Sequence, residues 1–201
     1  MGFRLNVRDQ RCHAEKEMLY IALLHYPVYD KNGRIVTTAI ANMDIHDIAR
    51  VAKTYGAAGF YIVNPAARQR RLAQDIVNHW QEGFGAQYNP HRQNAFSLIH
   101  IRESLQNVVD DIVRRTGRKP KSVATGAGPA QGDVLTFAEL KDCLKKENDV
   151  YMLLFGTGSG ISEKLIHESD FRLEPIKGMA GYNHLSVRSA VAVIMDRITR
   201  D

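Results

Sequence analysis

Residues 150–160 have the sequence VYMLLFGTGSG, an apolar run that passes directly into three alternating glycines. A short, uninterrupted apolar run is typical of a strand that is buried on both faces of a parallel sheet. Glycine permits positive φ angles and a close approach of the backbone to a ligand. Because ligands of open α/β sheets bind beyond the carboxyl ends of the strands, this stretch predicts a central strand followed by a ligand-binding loop.

Outward from this strand, apolar strand patterns alternate with amphipathic helix patterns along most of the chain. Such alternation predicts parallel strands joined by right-handed crossovers, with helices on both faces of the sheet. The expected fold class is therefore α/β, a three-layer sandwich with a mostly parallel sheet. Strands are predicted at 19–29, 59–65, 95–101, 121–127 and 150–156, and helices at 42–56, 67–81, 103–117 and 136–146, with a short strand, a loop and a closing helix in 171–200.

The composition is that of an ordinary globular domain with an excess of positive charge. The 201 residues are 44% hydrophobic and carry a formal net charge of +5, which favours polyanionic partners. Cys12 and Cys143 are too few for a disulfide framework or a paired metal-ligand pattern. No apolar run approaches the roughly 20 residues that span a bilayer. We expect a cytoplasmic protein with a short arm at 1–18 and a single domain at 19–201.

Another glycine-rich loop, TGAGP at 125–129, is the first of the two along the chain and follows the strand predicted to end at Ala124. Two such loops after neighbouring strands can form one pocket, whose backbone N–H groups face a ligand. The loop at 156–160 is not a P-loop, because no lysine follows Gly160. Its place after the last central strand also argues against a dinucleotide-binding fingerprint.

Polar side chains cluster where the closing helix is predicted to begin. Asn183 or Ser186 can cap that helix, just as Asn42 or Asp44 can cap the helix at 42–56. Capping accounts less readily for His184 and Arg188 in the same short segment. The cluster is therefore a candidate for chemistry next to the glycine loops.

Three segments in this order resemble the SPOUT class of S-adenosylmethionine (SAM)-dependent RNA methyltransferases, and most closely its SpoU-like members. They run from Asn42 through Arg50 to Gly56, over LLFGTGSGIS at 153–162, and over LEPIKG to YNHLSVRSAVAVIMDR at 173–197. The resemblance implies a C-terminal trefoil knot that forms the cofactor pocket, and a homodimer packed around it. It implies a methyltransferase that acts on a tRNA or rRNA nucleotide.

The resemblance also assigns roles to particular residues. Arg50 would orient a phosphate or the acceptor, because its pKa is too high for a general base, and His184 is the better proton acceptor. These groups would act together only if the helix at 44 faces the C-terminal loop across a subunit boundary. Asn183 and Ser186 complete the catalytic candidates, and the SAM-binding candidates are Thr125, Gly126, Leu154, Gly156, Gly158, Ile176, Gly178 and Leu185. The apolar members Leu154, Ile176 and Leu185 are also expected to be buried in any fold of this class.

Two positions depart from the family pattern, since His46 replaces a common glycine and Ser186 a common asparagine. The acceptor atom can therefore be either a base nitrogen or the ribose 2′-oxygen. A catalytically silent relative that binds RNA or a nucleotide is the alternative function. Phosphate contacts are expected from surface cations, namely Arg68, Arg70, Arg71, His91, Arg92, Arg114, Arg115, Arg118 and Lys119.

Overall fold

The computed structural model describes residues 18–128, 134–146, 149–179 and 181–200. The predicted arm at 1–18 lies outside these ranges, except for Met18, which is the first residue of a strand. Pro129 of the first glycine loop and Asp201 also lie outside them. In chain order the elements are β1 (Met18–Leu24), β2 (Val28–Tyr29), β3 (Ile35–Val36), α1 (Asn42–Thr54), β4 (Gly59–Val63), α2 (Ala67–Gln81), α3 (Phe84–Tyr88), α4 (Pro90–Phe96), β5 (Ile99–Arg102), α5 (Leu105–Thr116), β6 (Lys121–Ala124), β7 (Val134–Leu135), α6 (Phe137–Leu144), β8 (Val150–Gly156), α7 (Glu163–Glu168), β9 (Phe171–Leu173) and α8 (Val187–Thr199).

Seven of these strands form one sheet in the order β5-β4-β1-β8-β6-β9-β7, and each recorded pairing in it is parallel. Strands β8 and β6 are neighbours, with Leu154 opposite Ala124. Because both strands run in the same direction, the two glycine loops that follow them emerge side by side at one edge of the sheet. The short strands β2 and β3 form a separate antiparallel hairpin.

The side chains of β1 alternate between two hydrophobic cores, one on each face of the sheet. Leu19, Ile21 and Leu23 pack in one core with residues of α1, α2, α4, α6 and α8. Tyr20, Ala22 and Leu24 pack in the other, with residues of α5 and α7. This arrangement confirms the predicted three-layer α/β sandwich. The trefoil knot stays a prediction.

Several predicted boundaries are wrong. The strand expected at 19–29 ends at Leu24. The strand expected at 95–101 begins only at Ile99, because the preceding residues belong to α4. Helix α4 starts at Pro90, where the Asn89 side chain accepts a hydrogen bond from the Arg92 amide. Elements β7, α3 and α7 were not expected.

The expected caps are correct for one helix and wrong for the other. The Ser186 side chain caps α8, as predicted, and accepts a hydrogen bond from the Ser189 amide. Helix α1 is capped by Ala41 without a side-chain hydrogen bond, so neither Asn42 nor Asp44 caps it. The Asp44 carboxylate pairs instead with a residue of α8. None of the helices in the described ranges has the length and apolar character needed to cross a bilayer.

Candidate active site

A cavity of about 730 Å³ lies between the loops that follow β6 and β8 and the segment that precedes α8. Its volume falls within the range of roughly 300–1,000 Å³ that is usual for small-molecule sites. The cavity brings together three stretches that are far apart in the sequence. Its lining includes most of the predicted site residues, namely Thr125, Gly126, Gly156, Gly158, Ile176, Asn183, His184, Leu185 and Ser186.

Three predicted site residues lie outside this lining. Leu154 is fully buried within β8, and its carbonyl oxygen accepts hydrogen bonds from the Thr125 amide (3.1 Å) and hydroxyl (2.8 Å). Leu154 therefore holds the start of the first glycine loop, at Thr125, through its backbone carbonyl. A Cβ on Gly178 would lie 1.7 Å from the Tyr182 carbonyl oxygen, so only glycine fits there. Arg50 is exposed on α1.

The glycine loop after β8 is shaped by its contact with the hairpin strand β2. Gly158 has a φ of +60°, and a Cβ there would lie 2.7 Å from the Tyr29 carbonyl oxygen. The Ser159 amide donates to that carbonyl at 2.8 Å, and the Tyr29 amide donates to the Gly160 carbonyl at 2.9 Å. The loop is therefore fastened to β2 by its backbone and cannot accommodate a side chain at Gly158 without moving.

A chain of buried hydrogen bonds also holds this loop. The fully buried His25 contacts the Thr38 hydroxyl through Nδ1 at 3.0 Å, and that hydroxyl lies 2.5 Å from the Thr157 hydroxyl. The Thr157 hydroxyl donates to the Leu24 carbonyl at 3.1 Å. Burial lowers the pKa of His25 to about 4, so its imidazole is neutral at pH 7. Sequence reasoning missed these supports because Thr38 and Thr157 meet only in the fold.

The opposite wall of the cavity is the loop after β6. A Cβ on Gly126 or Gly128 would meet no atom within 4 Å, so the backbone here borders open space. The Asn183 side chain donates to the Ala127 carbonyl at 2.8 Å and so ties this loop to the segment before α8. Asn183 thereby holds two walls of the cavity together.

The predicted burial of three apolar candidates is confirmed in one case and wrong in another. Leu154 is fully buried, and Ile176 is partly buried against the larger core. Leu185 is 46% exposed, because it lies on the loop before α8 and borders the cavity instead of the core.

A cluster of charges spans the first turns of α1 and α8. The Arg188 guanidinium lies 3.1 Å from the Asp44 carboxylate and 3.4 Å from that of Asp47. Asp44 and Arg188 both line the cavity. The helix at 44 therefore contacts the C-terminal segment within one chain through Asp44 and Arg188. Arg50 does not line this cavity, so the expectation that it meets the C-terminal loop across a subunit boundary stays a prediction.

His46 and Tyr182, two polar residues of the family-like segments, differ in their surroundings. The His46 ring packs against Trp80 and Phe96, with centroids 5.3 and 4.8 Å away, and burial lowers its pKa. It fills space between helices and does not line the cavity. Tyr182 is 69% exposed and makes an edge contact with the His184 ring at 5.4 Å.

Several cations expected to contact RNA have partners inside the chain. Arg114 and Arg115 pair with the nearly buried Asp111. Arg70 donates to two backbone carbonyls and pairs with an exposed glutamate, and Arg92 stacks over a tryptophan ring. These contacts orient the guanidinium groups, so these arginines are not all free to contact phosphates.

The residues around the cavity suit an adenosine-type sulfonium cofactor. Phe155, Ile176 and Ile194 supply an apolar wall, and the glycine loops supply backbone polar groups. The Asp44 and Glu174 carboxylates supply negative charge in a site that would receive a cationic sulfonium.

Residues 18–200 match the model of a family described as SAM-dependent RNA methyltransferase. The chain belongs to this family. The match covers every strand of the sheet and all three cavity segments, so membership carries the cofactor class and the reaction class with it.

Curated relatives are similar in sequence to this chain over most of its length. A protein of Aquifex aeolicus, described only as uncharacterized, is 41% identical over 182 residues, which cover 90% of this chain and 88% of the relative. A tRNA (guanine-N(1)-)-methyltransferase of Oleidesulfovibrio alaskensis is 40% identical over 183 residues, and one of Nitratidesulfovibrio vulgaris is 42% identical over 186. Each alignment covers 91% of this chain but 42% of the relative, so the chain spans about two fifths of these two proteins.

Solved structures show the same fold at low sequence identity. The SpoU methyltransferase AviRb from Streptomyces viridochromogenes, solved in complex with the cofactor AdoMet, is similar with a TM-score of 0.53 at 20% identity over 92% of this chain and 58% of that one. The A. aeolicus TrmH/SpoU tRNA modifying enzyme is similar with a TM-score of 0.51 at 18% identity, over 92% of this chain and 75% of that one.

Proposed function

We propose that this protein transfers the methyl group of SAM to a nucleotide of tRNA in the cytoplasm, and that it works as a homodimer. The observation that carries the proposal is the single cavity that the three family-like segments enclose. Two glycine-rich loops and a polar segment converge there, as a cofactor site beside an acceptor site requires.

The proposed roles of the residues follow from the positions of their side chains. A bound SAM supplies an already activated methyl group, so the protein has mainly to align the acceptor and accept its proton. The glycine loops hold the cofactor through backbone groups. His184, which lines the cavity, is the proposed proton acceptor, and Asn183 fixes the loop beside it.

The proposal of tRNA rests on the two longer relatives. Both are named for a tRNA reaction, and each contains a part similar to this chain. Two parts of one protein share a high effective concentration for any bound RNA, which favours a common substrate class. The named guanine-N1 reaction is a property of the longer proteins, so the methylated atom is not taken from it.

The homodimer is supported by the exposed groups near the cavity. Leu185 lines the cavity, and Met43 and Tyr182 are each next in sequence to a lining residue. The Met43, Tyr182 and Leu185 side chains are 59%, 69% and 46% exposed, and exposed apolar patches mark interaction surfaces. Arg50 is exposed outside the cavity of its own chain, which suits a role at the site of a second subunit.

Calorimetric titration with SAM tests the cofactor site, with Gly126→Ala and Gly126→Trp as a graded pair. Because a Cβ at Gly126 meets no neighbouring atom, both variants should keep the melting temperature of the wild type. Alanine should reduce SAM affinity only slightly, whereas the indole should fill the cavity and abolish binding.

Methyl transfer is then measured with radiolabelled SAM and unmodified tRNA. Incorporation by the wild type that disappears in Gly126→Trp supports the proposal. SAM binding without incorporation into any RNA would favour the silent binding protein, and equal SAM binding by Gly126→Trp would remove the cavity from consideration.

A further inference from the structure

The charge cluster at the first turns of α1 and α8 holds one arginine in a fixed position. Arg188 contacts Asp44 through Nη1 and Asp47 through Nε. Asp44 is buried, with only 10% of its side chain exposed, while the Arg188 side chain is 34% exposed. A guanidinium anchored at two of its nitrogens loses most of the freedom that an exposed arginine has.

The anchored guanidinium is accessible to a ligand in the cavity. Arg188 lines the cavity, and its side chain is 34% exposed. Its Nη2 group has no hydrogen-bond partner in the part of the chain that the structure describes. N–H groups of Nη1 and Nη2 therefore remain for a ligand.

The charge of the cluster narrows the choice of ligand. One guanidinium beside two carboxylates carries a formal net charge of −1, which disfavours a phosphate. A neutral partner with two adjacent acceptor atoms suits the remaining N–H groups better. In RNA bases that pattern is the O6 and N7 edge of guanine, which arginine binds with two parallel hydrogen bonds.

We propose that Arg188, positioned by Asp44 and Asp47, binds the O6 and N7 edge of a guanine at or next to the methylated nucleotide. The inference rests on the proposed function, because it assumes an RNA acceptor in this cavity. It assigns a base preference to a residue of α8, on the geometry of the charge cluster and not on the guanine reaction for which the two longer relatives are named.

Binding of short RNAs tests the inference without turnover. Fluorescein-labelled octamers of uridine with one central guanine or one central adenine are titrated by anisotropy in saturating S-adenosylhomocysteine. The wild type should bind the guanine octamer roughly tenfold more tightly, as expected for one good bidentate contact. Arg188→Gln should bind both octamers equally.

Two further variants separate base recognition from charge and from folding. Arg188→Lys keeps the positive charge beside the buried Asp44 but lacks the planar fork, so it should fold normally and lose the preference. Lys121→Gln is the matched control. Lys121 also pairs with an aspartate (2.8 Å, 42% exposed) but begins β6, at the end of the strand away from the cavity loop, and this variant should keep the preference.

The outcomes distinguish this inference from the proposed function. A wild type without guanine preference, or an unchanged preference in both Arg188 variants, overturns the inference. Loss of cofactor affinity in Arg188→Lys would assign the arginine to the cofactor and would overturn it too. Failure of the wild type to methylate any RNA counts against the proposed function, whereas the octamer preference is read independently of turnover.

Discussion

At the residue scale, His25 links the stability of the cofactor loop to pH. Its pKa is about 4 in the folded protein because the ring is buried, against about 6.5 in an unfolded chain. The unfolded state therefore binds more protons between these values, and stability is lost as the pH falls below 6.5. Between pH 7 and pH 4.5 the loss due to His25 should be on the order of 2 kcal/mol.

Urea unfolding at the two pH values checks this prediction. His25→Gln, which retains an amide near Thr38, should lose much less stability on acidification than the wild type. His167→Gln, on the exposed surface of α7, should behave as the wild type. An equal pH dependence in all three proteins would contradict the buried neutral histidine. His100, whose pKa burial also lowers to about 4, adds to the loss in every variant.

The glycines that would bind the cofactor through their backbone could be located from the sequence. Residues whose role depends on a contact with a distant part of the chain could not. Gly126, Gly156 and Gly158 follow apolar strands directly, so their place at the sheet edge is a local property. Asp44 contacts Arg188 across 144 positions, and nothing in either neighbourhood indicates the pair. Arg188 itself was a candidate only because it stands beside other polar residues.

At the scale of elements, helix α8 depends on the cap at Ser186. The Ser186 hydroxyl accepts from the Ser189 amide and contacts the Ser189 hydroxyl at 2.8 Å, so its hydrogen bonding is directed to the helix. Ser186→Ala should lower the free energy of unfolding by about 1 kcal/mol, whereas Ser186→Asn, also a good cap, should be close to the wild type.

Methyl transfer by the same two variants distinguishes capping from catalysis. If Ser186 only caps α8, Ser186→Asn keeps the wild-type turnover rate, and Ser186→Ala keeps it at temperatures where the variant is folded. A stable Ser186→Asn protein without turnover would show instead that the serine hydroxyl takes part in the reaction.

Elements with one clear periodicity were predicted closely, and short elements were not. Helix α2 at 67–81 and strand β8 at 150–156 match the structure at both ends. Residues 84–96 contain α3 and α4, whereas the only element predicted there was the strand expected to begin at residue 95. An asparagine followed by a proline, as at 89–90, suits the start of a helix, and that signal could have located α4.

At the scale of the whole molecule, the proposed homodimer makes a prediction about mass. Sedimentation equilibrium at micromolar concentration should give twice the 22.6 kDa of one chain. Met43→Asp, at the exposed start of α1, should shift the protein towards monomer because it introduces a charge into an apolar interface. Phe84→Asp is the control, since Phe84 is also exposed (72% against 59% for Met43) but, unlike Met43, has no neighbour along the chain that lines the cavity. A wild-type monomer would refute the dimer.

The position of β8 in the sheet also governs when the protein can fold during its synthesis. Strand β1 lies between β4 and β8, yet β4 follows it closely along the chain and β8 is made much later. A nascent chain that stops short of Val150 can pair one edge of β1 but leaves the other edge without its partner. Such unpaired edges promote aggregation, and contacts between distant segments slow folding. Completion of the central sheet, and with it the second glycine loop, must therefore wait until the ribosome has delivered residues 150–160.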